Sequence, residues 1–269
     1  MNWGRAKTIL IIVFLIIDII LLGLFSYINN EINYIKTDTV KEAAAALKKH
    51  DIKISEDIVP KKRIEKKILN YENVLYNHEK ALKRFLGEGY ELFEETQNEK
   101  TYKKNNLYMT LSDGKMLLLK ERNKNSAKSF DEIKKQVIAD LEKFGYKKKE
   151  IGFENVSIKD GVCKFTVYQI YDKKKVYGTQ MVTTADKDGI LTLSGRCFSF
   201  TDAEDTNEMM TDVTTSLCDM LYEPSYKGME IKDIEVMYYI SPEYMDASNV
   251  SVYPVYVIKN SKKQEIILN

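Results

Sequence analysis

A chain of 269 residues with 44% hydrophobic and 30% charged residues has room for one or two domains and is neither disordered nor polytopic in composition. Its 41 basic and 40 acidic residues leave a formal net charge of +1. Acids are interleaved with the lysines, so the balance gives no electrostatic case for nucleic acid as a partner.

The first element is an apolar helix. Fifteen of residues 9–25 are Ile, Leu, Val or Phe, and adding Ser26, Tyr27 and Ile28 gives a run of 20 residues. At 1.5 Å rise per residue that is about 30 Å, the thickness of a bilayer's hydrocarbon core. Asp18 is the single charge within it. A carboxylate at the helix centre costs roughly 2.5–3.5 kcal/mol, while each large aliphatic residue returns up to about 0.3–0.6 kcal/mol, so the run still inserts. Arg5 and Lys7 precede the run, whereas residues 29–40 carry Glu31, Lys36 and Asp38. With Trp3 at the near interface, this asymmetry orients residues 1–8 as a cytoplasmic tip and 9–28 as the transmembrane helix, with the rest outside the cell. A cleaved signal would have a shorter apolar core followed by a small-x-small site, which Leu24–Ile28 does not offer, so the run reads as a permanent anchor. Asp18 is the candidate contact residue. Such an acid is either tolerated in protonated form or hydrogen-bonds a neighbouring transmembrane helix.

The outer region follows in order. Thr39-x-x-Glu42 has the form of a capping box and predicts a helix to about His50, with Val40, Ala43, Ala44 and Leu47 on its apolar face. Residues 51–55 alternate as a strand does, and Pro60 closes them. Residues 61–76 fit either helix or strand. Asn77 caps a helix over 77–86 that Gly87 stops. Tyr90–Thr96 and Asn106–Leu111 read as extended, and Ser112-Asp113-Gly114-Lys115 turns a hairpin.

Residues 121–128 form a polar linker, and the outer region divides there into subdomains 29–125 and 126–269. Ser129-x-x-Glu132 opens a second helix, with Phe130, Ile133, Val137, Ile138, Leu141 and Phe144 in register and Gly145 as its stop. Strands are expected at 151–158, 163–171, 176–184 and 190–200, separated by Lys159-Asp160-Gly161, Asp172-Lys173-Lys174 and Asp186-Lys187-Asp188-Gly189. Met209, Val213, Leu217 and Leu221 predict one helix over 204–222, ended by Glu223-Pro224. Strands at 231–240, 250–258 and 264–268 complete an α+β fold, an N-terminal transmembrane helix followed by curved antiparallel sheets packed with helices.

Chemistry-bearing patterns are sparse. His50 and His78 lie in lysine-rich stretches and read as exposed. No HExxH, GxSxG or P-loop pattern occurs, Gly87-Glu88-Gly89 reads as a helix stop and turn, and Asp186, Asp188 and Gly189 lack the acid of a calcium loop. Cys163, Cys197 and Cys218 have no CxxC spacing and no histidine companions. Cys163 and Cys197 fall in apolar strand-like segments, where free buried thiols are favoured over a bridge between them. The expectation is no enzyme, cofactor or metal. The 18 tyrosines, among them Tyr168, Tyr171, Tyr177, Tyr238, Tyr239, Tyr244, Tyr253 and Tyr256, pack strands or form a protein-binding face.

The opening MNWGRAKTILIIVFLIIDIILL resembles the N-terminus of the YycI (WalI) family in Trp3, Arg5, Lys7, the Lys7-Thr8-Ile9 step and the polar residue at 18. Residues 176–200 and 231–258 are similar to its later hairpin and closing segment, with Tyr256 where tryptophan is common, whereas residues 60–125 carry no recognisable motif. The resemblance implies a non-enzymatic membrane regulator in a two-component system. It would pair with a YycH-like membrane protein and modulate a sensor histidine kinase of WalK type through transmembrane and extracytoplasmic contacts, with Asp18 in the contact helix. The alternative is an extracytoplasmic ligand-binding or protease-inhibitor module similar to PepSY-type domains.

Overall fold

The computed structural model describes residues 3–112, 115–121, 129–186, 190–262 and 264–268. The expected turns at Asp113-Gly114 and Lys187–Gly189, and all of the linker beyond Glu121, lie outside them. The helices are α1 (Trp3–Asn33), α2 (Thr37–Lys49), α3 (His78–Leu86), α4 (Phe130–Glu142) and α5 (Val213–Asp219). The strands are β1 (Glu65–Asn73), β2 (Glu91–Glu95), β3 (Lys100–Lys104), β4 (Leu107–Ser112), β5 (Lys115–Glu121), β6 (Ile151–Lys159), β7 (Val162–Tyr171), β8 (Lys174–Ala185), β9 (Ile190–Gly195), β10 (Phe198–Met209), β11 (Ile231–Tyr239), β12 (Asn249–Asn260) and β13 (Glu265–Leu268). The fold is α+β, with an N-terminal apolar helix and predominantly antiparallel strands.

Contacts group the chain into two units that differ from the expected 29–125 and 126–269. One comprises residues 1–65, 207–235 and 256–269, the other 66–206 and 236–255. The reason is visible in the strand register. β5 pairs with β9 from Met116↔Gly195 to Glu121↔Ile190, so the hairpin before the expected boundary and the strands after it share one sheet.

In the larger unit, β2, β3, β4, β5, β9, β8, β7 and β6 pair antiparallel in that order. Alternation along each strand sends every second side chain to one face. The registers then line these up across strands: Phe165 opposite Thr183, Thr183 opposite Leu193, Leu193 opposite Leu118, and Leu118 opposite Met109. All five are buried, and α3 and α4 cover the row with Ala81, Leu82, Phe85, Ile133, Val137 and Leu141. Both helices begin as expected. Asn77 Oδ1 accepts from the Lys80 N–H at 3.0 Å, and at α4 the Ser129 N–H donates to Glu132 Oε2 at 3.1 Å in a complete capping box. Gly87 and Gly145 follow with φ of 74° and 92°, positive values that glycine adopts without a Cβ penalty, and the chain leaves the helix there. The turns at Asp160-Gly161 and Asp172-Lys173 have positive φ at both residues, as two-residue hairpins require.

β8 and β11 register parallel, at Tyr238↔Val176 and Tyr239↔Tyr177. Gly178 sits there with φ 95°, and a Cβ on it would lie 2.8 Å from the Ile240 Cβ, so only glycine admits this approach. β12 registers with β1 through 249–252 and with β13 through 256–259. Pro254, which has no N–H to donate, falls between the two registers.

Several expectations are corrected. The helix over 204–222 is replaced by strand β10 and a much shorter α5. Pairing with β1 prevails over the helical spacing there: Thr201 Oγ1 donates to Asn70 O at 2.8 Å, and Asn70 Nδ2 donates to Asp202 Oδ1 at 2.7 Å. The single run expected at 190–200 is two strands, β9 and β10, broken at Arg196 and Cys197. α2 begins at Thr37 with Lys36 as its N-cap and no side-chain cap, so Thr39 lies inside the helix and caps nothing. Residues 51–55 make a single bridge, Lys53 with Glu230, before a 3-10 turn at Glu56–Ile58. The ambiguous stretch at 61–76 resolves as β1, and β3 is a strand where the sequence pattern predicts none.

Candidate functional site

The feature that distinguishes this chain begins at its first helix. Residues Lys7–Asn33 form an unbroken helix of 27 residues, long and apolar enough to cross a membrane, with residues 7–32 exposed. Its length is about 40 Å against about 30 Å of hydrocarbon core. Trp3 is 75% exposed near one end and Tyr27 is 63% exposed near the other, positions suited to the two interfaces. Lys7 is exposed on the helix. Arg5 lies on the same helix, and its side chain is outside the described set.

Asp18 is exposed on this helix. One turn away on its own face stand Phe14, Leu15, Leu21 and Leu22, each more than half exposed. A lone carboxyl is thus displayed among apolar side chains.

At the other end, the helix runs into a joint that sequence reasoning missed. Arg63 Nη1 donates to Glu31 O at 2.9 Å and Ile32 O at 3.2 Å, satisfying carbonyls that the end of α1 leaves without an intrahelical partner. Its Nε and Nη2 donate to Asp212 Oδ1 and Oδ2, both at 2.8 Å, in a two-point fork. Main-chain bonds run alongside: Arg63 N–H to Asn33 O at 2.8 Å and Ile35 N–H to Lys61 O at 2.7 Å. Asp212 is the N-cap residue of α5, which packs against α2. Lys36 closes the corner by pairing with Glu31 at 2.7 Å. Arg63 and Asp212 stand 149 residues apart in sequence, so no local signal announces their pairing.

The tyrosines mostly pack. Tyr71, Tyr238 and Tyr256 are buried, and Tyr171 contacts both Tyr238 and Phe200. Lys175 lies 4.9 Å from the Tyr168 ring centroid while its Nζ donates to both Glu154 oxygens. Tyr244 and Tyr253 remain exposed. His50 and His78 are exposed, Cys163 and Cys197 are buried free thiols, and Cys218 is half-buried. Burial pushes the Cys197 thiol up to about 12. Among the described residues, no three His, Cys, Asp or Glu side chains group as metal ligands.

No protein-family model matches this chain. No curated protein matches it either. Among solved structures, it is similar to an uncharacterized protein from Eubacterium rectale ATCC 33656, with TM-score 0.44 and 11% identity over 77% of this chain and 82% of that one. It is also similar to the Bacillus megaterium YpeB C-terminal domain, with TM-score 0.32 and 10% identity over 70% of this chain and 94% of that one.

Proposed function

We propose that this protein is a single-pass, membrane-anchored regulator without enzymatic activity that acts by contact with other membrane proteins. The partners are a sensor histidine kinase of WalK type and a YycH-like membrane protein. The N-terminus is cytoplasmic and the α+β region is extracellular. The observation that carries the reading is Asp18, an exposed carboxyl near the middle of an apolar helix that no other described residue covers at that point. In hydrocarbon such a group is stabilised by a hydrogen-bonding partner on another helix, worth about 1–2 kcal/mol in model peptides. The resemblance of residues 1–22 to the YycI family supports the choice of partners.

The test is co-purification of the full chain with the kinase and the YycH-like protein from membranes. Asp18→Leu removes the carboxyl while making the helix more apolar, so insertion is retained and the complex is lost. Asp18→Asn keeps a hydrogen-bonding group and retains part of the complex. Undiminished co-purification of Asp18→Leu overturns the reading.

A further inference from the structure

Arg63 uses one planar guanidinium for two tasks that are normally separate. One edge terminates α1 at the Glu31 and Ile32 carbonyls, and the other grips Asp212 at the start of α5. A cation at a helix C-terminus also complements the helix dipole. The geometry requires arginine, because a lysine ammonium is a single point and lacks the fork to hold both sides at once. The main-chain bonds of Ile35 and Arg63 run beside it, and α5 carries the load onward to α2.

We infer that Arg63 is a positioning residue that fastens α1 to the α2–α5 part of its unit, so that the helix and that unit turn as one body. The face of α1 bearing Asp18 then keeps a fixed rotational phase to the outer part of the unit. A partner that rotates or tilts α1 would move α2 and α5 with it, and a ligand acting on the unit would turn Asp18. The use of this joint in signalling rests on the function proposed above. The joint itself does not.

The experiment uses the full chain in lipid nanodiscs, spin-labelled at Asn30→Cys on α1 and Lys227→Cys in the same unit, with Cys218 replaced by Ser. The parent gives a narrow distance distribution. Arg63→Ala broadens it, and hydrogen exchange at the Ile35 and residue-63 amides accelerates about tenfold, a ratio equivalent to about 1.4 kcal/mol. Exchange in β7 and β8 stays as in the parent, which separates loss of the joint from loss of the fold. Arg63→Lys, milder in charge and volume, also broadens the distribution. An unchanged width and exchange rate in Arg63→Ala overturns the inference, as does full restoration by lysine. If Asp18→Leu leaves co-purification intact while Arg63→Ala broadens the distribution, the regulator reading fails and the joint stands. If both readings hold, Arg63→Ala still co-purifies with the kinase but no longer alters its autophosphorylation.

Discussion

Phe85 and Phe144 stack with ring centroids 5.2 Å apart and planes 7° from parallel, joining α3 to the residue two places beyond the end of α4. Phe144 is fully buried, and Lys143 beside it places its Nζ 4.8 Å from the Phe85 centroid. This contact holds the two helices that cover the sheet of the larger unit.

Phe144→Ala therefore removes a ring whose space the flanking helices are unable to fill. Urea unfolding followed by circular dichroism is expected to show a loss of about 3–5 kcal/mol. A loss below about 1 kcal/mol would mean that α3 and α4 do not depend on this stack.

Thr183 predicts the opposite sign. It lies between Phe165 and Leu193 in the row that runs to Met109, fully buried, and its hydroxyl has no partner among the described residues. Thr183→Val replaces an unsatisfied hydroxyl with a methyl of similar shape and is expected to raise the unfolding free energy by about 1 kcal/mol. Destabilisation in the same urea experiment would refute this.

Alkaline pH tests the burial of two ionisable groups. Burial holds the Cys197 thiol and the Tyr238 phenol up to about 12, above ordinary values of 9.0 and 10.0. Both are neutral when protonated, and the folded state holds the proton more tightly than the unfolded state does. Their contribution is complete below pH 9 for Cys197 and below pH 10 for Tyr238, and it declines as pH rises toward about 12. Urea midpoints should fall across that window, and Tyr238→Phe should flatten the upper part. A midpoint that stays level to pH 12 contradicts the burial of these groups.

Local rules make some elements legible in the amino-acid sequence alone. The Ser129-x-x-Glu132 box and the spacing from Phe130 to Phe144 define α4, and Asn77 with Gly87 bracket α3, because capping is decided within a few residues. β10 is illegible: Thr201–Met209 is polar and its strand form depends on a partner, β1, more than a hundred residues earlier. β3, with the sequence Lys100-Thr-Tyr-Lys-Lys, is equally polar, although its partners β2 and β4 flank it in the sequence. At the candidate site, Asp18 stands out as a lone charge in an apolar run. Arg63 does not, because a lysine- and arginine-rich stretch at 61–63 looks like any solvated turn until Asp212 is brought beside it.

The pairing of Leu69 with Val252 has a consequence for how the protein is made. Synthesis runs from the N-terminus, so β1 emerges early and waits through some 180 further residues for its mate. Such distant pairing makes assembly slow, because the entropy of closing a long loop is lost before any contact rewards it. β10 can cover one edge of β1 once residues 198–209 are made, but the edge that takes β12 stays open to proteases and strand-seeking neighbours throughout that interval. Quality control by the cell would thus fall on the period before residue 252 appears, and a premature stop shortly before it would yield a product that is degraded rather than one that is partly active.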